Sequence, residues 1–296
     1  MAAARQDANP RLVELIRSEI ERHGRITFAR FMELALYHPE HGYYHTALRA
    51  GRGGDFLTAP ETHPIFGWTL ARQLSELWHL LGRPASFTLR EYGPGAGTLI
   101  LSLLEGLLRD RSALLGALRY QPVEHSPVAL GELSRRLAAA GFQHLLEEPG
   151  ATPITGAVLA NEFLDALPVH RVTCRNGELL ELYVGWGGEG FVEIPGPPST
   201  PALAAYLEES GVRLAEGQVT EINLEIEPWV AEIAHALERG YILVFDYGYP
   251  AAERYDPDRF PRGTLKTYRG HAAGDDPFRA VGEQDITAHV DFTALE

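Results

Sequence analysis

The chain has 296 residues, 45% of them hydrophobic, with 26 lysines and arginines against 40 aspartates and glutamates, for a formal net charge of -14. This length allows one large core, or one core with an appended lobe, and the negative charge repels a phosphate backbone; one principal domain with insertions and no nucleic-acid partner are expected. A lone cysteine, Cys174, excludes an internal disulfide framework and a cysteine-built zinc site, and no apolar run is long enough to cross a bilayer.

From the amino end, Asn9-Pro10 reads as an N-cap with proline in the first helical turn, and Leu12, Leu15, Ile16 and Ile20 recur at helical spacing until Gly24. Met1 to Asn9 lacks the apolar core of a secretory signal and the pattern of a transit peptide, so a cytoplasmic home is expected. A second helix starts near Thr27, carries Phe28, Phe31, Met32 and Leu36, and is stopped by Pro39. His38 to Pro64 is long, aperiodic and rich in Gly, Pro, His and aromatics, the composition of a functional loop. Within it, His38, His41 and His45 have no helix to align them for a metal, and no metal is expected. Gly51 to Pro60 combines a flexible loop with Asp55 and Thr58, which can close over a bound cofactor or serve an Asp-stabilised turn. Helical spacing resumes over Ile65 to Leu81.

From Phe87 short apolar runs alternate with helices, the pattern of an open, Rossmann-like α/β sheet with parallel strands. Strands are expected at Phe87–Glu91, Tyr120–Glu124, around Phe142–Leu145, Ala157–Ala160 and Tyr241–Asp246, with helices at Thr98–Arg109 and Pro127–Ala140. Val169–Cys174 and Glu178–Trp186 flank Asn176-Gly177, a hairpin signal, and mark an antiparallel β insertion at about residues 169–225. The expected organisation is a helical lid region over residues 1–82 followed by the sheet domain over 83–296.

The sharpest local feature is Phe87-Thr-Leu-Arg-Glu-Tyr-Gly-Pro-Gly-Ala-Gly-Thr-Leu99, a strand ending in a glycine turn that opens a helix. Thr98 stands where the dinucleotide fingerprint needs glycine, which disfavours NAD, and no Gly-Lys-Ser/Thr follows, which excludes a P-loop. No lysine or arginine lies between Gly93 and Glu105 to meet phosphate, whereas Glu91 closes the strand. That chemistry suits a cofactor with a cationic amino-acid portion and no phosphates. Glu124 ends the next strand, where an acid accepts from ribose hydroxyls in doubly wound folds. The plainer alternative gives Gly93, Gly95 and Gly97 to a tight turn and Glu124 to a helix N-terminus. Asn161, Glu162 and Asp165 follow the strand Ala157–Ala160, at the sheet edge where open α/β folds hold ligands; the alternative is that Asn161 and Asp165 cap the next helix and Glu162 is solvated.

Six segments together resemble the MidA family: Ile26 to Tyr44, Gly54 to Glu61, Glu91 to Gly97, Asn161 to Val169, Asp246-Tyr-Gly248 and Gly282 to Phe292. The resemblance covers nearly the whole chain. It implies a seven-stranded methyltransferase fold with S-adenosylmethionine as donor; the family's mitochondrial members are arginine methyltransferases that assist assembly of respiratory complex I. A protein substrate, an arginine on a complex I-type subunit, is implied in turn. By this likeness Gly93, Gly95 and Glu124 hold the cofactor, and Asn161, Glu162 and Asp165 lie near the transfer site. In methyl transfer the protein aligns the nucleophile and handles its proton, and a carboxylate does both for a guanidinium. A small-molecule methyltransferase and a non-catalytic assembly factor that keeps the fold are the competing readings. The family continues past the position of Glu296, so the chain reads as truncated inside a helix beginning near Asp285, with the last sheet strands missing and the fifth strand's edge exposed.

Overall fold

The computed structural model describes residues 7–48, 54–55 and 58–295. In chain order the first elements are α1 (Pro10–His23), α2 (Phe28–Tyr37), α3 (Tyr43–Thr46), α4 (Ala59–Thr62), α5 (Ile65–Leu80), β1 (Phe87–Tyr92), α6 (Thr98–Arg109), α7 (Leu114–Ala117), β2 (Leu118–Val123) and α8 (Pro127–Ala139). Next come β3 (Ile154–Asn161), β4 (His170–Arg175), β5 (Glu178–Gly187), β6 (Gly190–Gly196), α9 (Ala202–Glu209), β7 (Val219–Ile222), α10 (Ile226–Ala236) and β8 (Leu237–Phe245). The chain finishes with β9 (Gly248–Tyr249), α11 (Ala251–Arg254), β10 (Lys266–Arg269), β11 (Ala272–Gly274), β12 (Asp285–Thr287) and β13 (Val290–Asp291). Contacts group the residues into two compact units: one joins Ala47–Phe163 to Ala231–Phe245, and the other joins residues up to Thr46 to Leu164–Val230 and to Asp246 onward. Helix α5 groups with the strands that follow it.

The first unit is built on a parallel sheet of order β2-β1-β3-β8. Its core runs from Leu70, Leu74 and Trp78 of α5 through Phe87 and Leu89 of β1 to Leu103 and Leu107 of α6. Helix α8 starts where Ser126 accepts from the Ala129 N–H and Pro127 fills the first turn. Residues Phe142–Leu145, expected as a strand, are instead a 3-10 turn over Gln143–Leu145. The reason lies in the end of α8. Gly141, at φ 82°, closes the helix while the Phe142 N–H returns to the Leu137 carbonyl, so these residues complete a helix cap. The edge of β2 receives only the Glu147 N–H at Tyr120 and a bridge between Tyr120 and Leu146. Four strands make up this sheet among the described residues, one fewer than the five expected because Phe142–Leu145 is not a strand, and β8 is one edge, with Ile242 41% exposed.

Strands β1, β3 and β8 approach closely at two glycines. A Cβ on Gly156 would lie 2.0 Å from the Thr88 carbonyl oxygen, and one on Gly240 would lie 2.0 Å from the Gly156 oxygen. Both obstacles are backbone, so neither moves out of the way. Gly156→Ala is expected to destabilise the protein by about 3 kcal/mol through overpacking; a denaturant titration showing a loss below about 1 kcal/mol would remove this account of the sheet.

The second unit carries the β insertion, an antiparallel sheet of order β6-β5-β4-β7. Asn176 and Gly177 take φ values of 53° and 74°, the left-handed pair that a two-residue hairpin needs. Val172, Leu203, Leu207 and Ile222 form its small core. A second cluster joins Phe28 and Phe31 of α2 to Phe191 and Phe278, at ring separations of 5.1 to 6.3 Å. The segment from Asp285, expected as a helix, is β12, paired antiparallel with β10. Asp285 turns its Oδ1 onto the Ile286 N–H and accepts the Tyr44 hydroxyl at 2.7 Å, and these bonds hold the chain extended. No helix among the described residues is long and apolar enough to cross a membrane.

Candidate active site

Register places the ends of four strands on one line. Tyr92 of β1 lies beside Val123 of β2 and Ala160 of β3, and Asn161 of β3 lies beside Phe245 of β8. All four strands run the same way, so the Gly93–Gly97 turn, Glu124 and Asn161-Glu162 emerge from one edge of the sheet. The chain leaves β1 for β2 on one side and returns to β3 on the other. Between β1 and β3 is thus a topological switch point, where open α/β sheets hold ligands.

The glycine turn follows from backbone sterics. Gly93, Gly95 and Gly97 have φ values of 62°, 54° and 79°, a region that side chains rarely adopt. The Gly93 N–H continues the ladder to the Val123 carbonyl, and Gly97 stands at the N-cap of α6. A Cβ on Gly93 would come within 3.0 Å of the Phe163 ring, and one on Gly97 within 3.0 Å of Leu133. At Gly95 it would meet nothing within 4 Å, so the outer side of the turn is open to a ligand.

Glu124 and the turn are locked together. Its Oε2 accepts the Gly95 N–H at 3.0 Å and its Oε1 the Ser126 N–H at 2.8 Å. A carboxylate has about four lone-pair sites, so each oxygen retains one for a further donor such as a hydroxyl. Arg136 of α8 braces the turn from behind, donating to the Ala96 carbonyl and the Thr98 hydroxyl, both at 3.0 Å.

Glu91 lies deeper than its place in the sequence implies. The strand continues through Tyr92, and Glu91 is 2% exposed, its Oε2 accepting the Tyr120 hydroxyl at 2.7 Å. Burial drives its carboxyl pKa up to about 7, against the lowering effect of the Tyr120 bond.

At the end of β3, Glu162 has φ 49°, a left-handed value for a residue with a side chain. Its N–H is fixed to the Phe245 carbonyl at 2.8 Å, and its Oε1 accepts the Ala59 N–H of α4 at 3.4 Å. Backbone held in such a sparsely populated region costs about 1–3 kcal/mol and clusters at functional sites. Thr58, the residue before α4, makes no side-chain cap bond there, and Asp55 is half-buried. Gly51–Gly53 and Phe56 of the same expected loop lie outside the described residues. The structure thus brings Gly93, Gly95, Gly97, Glu124, Asn161 and Glu162 to one sheet edge, with the α4 end of the 51–60 loop bonded to Glu162.

Asp165 belongs to the other unit, in the 3-10 turn Leu164–Ala166. Asp246 Oδ2 accepts the Leu164 N–H at 2.9 Å and the Asp165 N–H at 3.3 Å, while the Asp165 carbonyl accepts from Ala288 at 2.9 Å. Tyr37 donates to the Ala166 carbonyl at 2.8 Å. Burial, then the charge of Asp285, push the Tyr44 phenol well above its usual pKa, with Tyr37 and Asp165 adding to the effect. The His38 and His41 rings stack at 5.2 Å, and His38 Nδ1 accepts the Glu40 and His41 N–H groups.

Residues 69–296 match the model of a family of S-adenosyl-L-methionine-dependent methyltransferases. The chain belongs to that family. The methyltransferase is 30% identical to the mitochondrial protein arginine methyltransferase NDUFAF7 homolog of Drosophila melanogaster over 95% of this chain and 68% of that protein. Its identity to the NDUFAF7 protein of Homo sapiens is 29%, over 94% of this chain and 66% of that one. Among solved structures, a Burkholderia thailandensis protein bound to S-adenosyl-homocysteine superposes with a TM-score of 0.87 at 34% identity, covering 99% of this chain and 76% of the other. Two residues that contact the candidate site escaped the sequence reading. Arg136 sits 40 positions from Ala96, and only the α8 packing brings it to the turn. Tyr120 reads as an ordinary apolar strand residue until β1 and β2 are set in register.

Proposed function

We propose that the chain is a protein arginine N-methyltransferase whose cofactor rests on the Gly93–Gly97 turn, with the ribose hydroxyls on Glu124. The observation that carries this reading is the open outer side of Gly95 beside a carboxylate already oriented by two backbone N–H groups. The residues fit the group: acids Glu91 and Glu124 suit a cationic nucleoside, and no Gly-Lys-Ser/Thr phosphate cradle follows the turn. When bound, S-adenosylmethionine supplies an electrophilic methyl on its sulfonium. Glu162, held by Phe245 and Ala59, binds the fork of guanidinium N–H groups, sets one nitrogen in line and takes the proton that leaves as the N–CH3 bond forms. Asn161 accepts from the acceptor or from the cofactor's amine. Asp55 and Thr58 are assigned to the cofactor in the same reading.

A protein substrate is favoured by the similar proteins of Drosophila melanogaster and Homo sapiens, which are protein arginine methyltransferases. A subunit of a respiratory complex I type follows from the family resemblance. Incubating the chain with isotope-labelled S-adenosylmethionine and basic acceptor proteins, then mapping the label by mass spectrometry, tests it. Label on arginine is expected, with Glu162→Gln reducing transfer on the order of 100-fold at unchanged cofactor affinity. Label only on small molecules, or a Glu162→Gln variant as active as the parent, would overturn the assignment.

A further inference from the structure

Glu91 and Tyr120 form a buried pair, with Glu91 of β1 two residues before Gly93. Glu91 is on β1 and Tyr120 on β2, two residues off direct register, and both side chains are withdrawn from solvent, at 2% and 0% exposure. Their link is one hydrogen bond of 2.7 Å from the phenol to Oε2. The neighbouring cation does not serve them: Arg90 donates to Gln121 at 2.8 and 3.1 Å and to the Gly150 carbonyl at 3.2 Å. The titratable groups that act on Glu91 are Tyr120 of β2 and Glu124 beyond its end, and Glu124 carries like charge. The α5, α6 and α8 side chains that share this core are apolar at Leu74, Leu99, Leu103 and Leu133.

An acid in such a place ionises poorly until a positive charge arrives. S-adenosylmethionine carries an ammonium and a sulfonium against one carboxylate, and the cofactor reading above rests it on the turn that begins two residues after Glu91. We propose that Tyr120 is a positioning residue for the cofactor: its hydroxyl orients Glu91 and eases its ionisation, so that binding of S-adenosylmethionine is coupled to release of the Glu91 proton to solvent. The proton balance is simple. The carboxylic acid becomes a carboxylate, the proton passes to buffer, and the new negative charge offsets that of the arriving cation.

The sign follows from linkage. In the free protein Glu91 is raised to about 7, so below that pH the cofactor must displace a proton and above it none remains to displace. The inference rests on the cofactor reading, and one experiment separates the two. Titration calorimetry of the full chain with S-adenosylmethionine, from pH 5.5 to 8.5 in buffers of different ionisation enthalpy, measures affinity and protons released. The cofactor's own amine titrates alike in every variant, so differences between variants isolate Glu91.

The wild type is expected to bind roughly tenfold more tightly per pH unit up to neutrality and then level off, with close to one proton released on the acid side. Glu91→Gln should remove this step and the proton release. Tyr120→Phe should move the step upward by roughly one pH unit, a change that loss of packing alone does not produce. A flat wild-type profile with no buffer-dependent enthalpy, or a Tyr120→Phe profile superimposable on the wild type, would overturn the inference while leaving the cofactor site intact. Absence of any binding to the wild type would remove the cofactor reading and this inference with it. If Tyr120→Phe fails to fold, the wild-type and Glu91→Gln titrations still decide the proton coupling.

Discussion

Glu124→Gln is expected to weaken S-adenosylmethionine binding on the order of 100-fold, about 2.7 kcal/mol. The size follows from the geometry of both carboxylate oxygens. Each faces a backbone N–H, Gly95 at 3.0 Å and Ser126 at 2.8 Å. A glutamine in the same rotamer must set its NH2 against one of those donors, so it either loses that bond or turns away from both. Turning away frees the Gly95 N–H and releases the turn that the cofactor is proposed to rest on; keeping the rotamer removes an acceptor for the ribose. Isothermal titration reads the change directly. A variant with the parental dissociation constant would show that Glu124 serves only the α8 N-terminus, the plainer role that the sequence left open.

Arg254→Met is expected to cost 3–5 kcal/mol of folding stability, the range for breaking a buried pair from one side. Arg254 is 1% exposed and Glu221 2%. The guanidinium donates to Glu221 Oε2 at 2.9 Å, the Thr220 hydroxyl at 3.2 Å and the His289 carbonyl at 3.1 Å. Glu221 in turn accepts the Thr264 N–H at 2.8 Å and crowds against Gly263, where a Cβ would lie 2.1 Å from its Oε1. Three segments that are distant in sequence, β7, α11 and the stretch around residues 263–264, are thus tied to one another through these two charges. Removing the arginine leaves a carboxylate buried against Arg171 at 3.7 Å as its remaining cation. Adding Glu221→Gln to the same chain removes the uncompensated charge and should recover part of the loss. Chemical denaturation of the single and double variants tests the pair; a single variant within about 1 kcal/mol of the parent would contradict it.

What the sequence made legible was local. The glycine turn, the Asn176-Gly177 hairpin and helix α6 are each dictated by a few neighbouring residues, through positive φ or helical periodicity, and the structure has them at the expected positions. The segments misread as strand or helix were decided by partners elsewhere. Phe142–Leu145 has strand-like composition but completes the cap that Gly141 begins, and Asp285–Thr287 is held extended by Tyr44, 241 positions away. The same distinction applies at the site. Gly93, Gly95 and Glu124 announce themselves by residue type and place. The depth of Glu91, its bond to Tyr120, the Arg136 brace and the left-handed backbone of Glu162 depend on register and packing, which no window of adjacent residues contains.

The account stands on the cofactor lying over Gly95 with its sugar at Glu124. A crystal structure of this chain grown with S-adenosyl-homocysteine tests that most directly. Density for the nucleoside along the Gly93–Gly97 turn, with ribose oxygens within hydrogen-bond distance of the Glu124 carboxylate, is the predicted result. Density for the ligand elsewhere, or a turn that remains free of it at saturating concentration, would contradict the account.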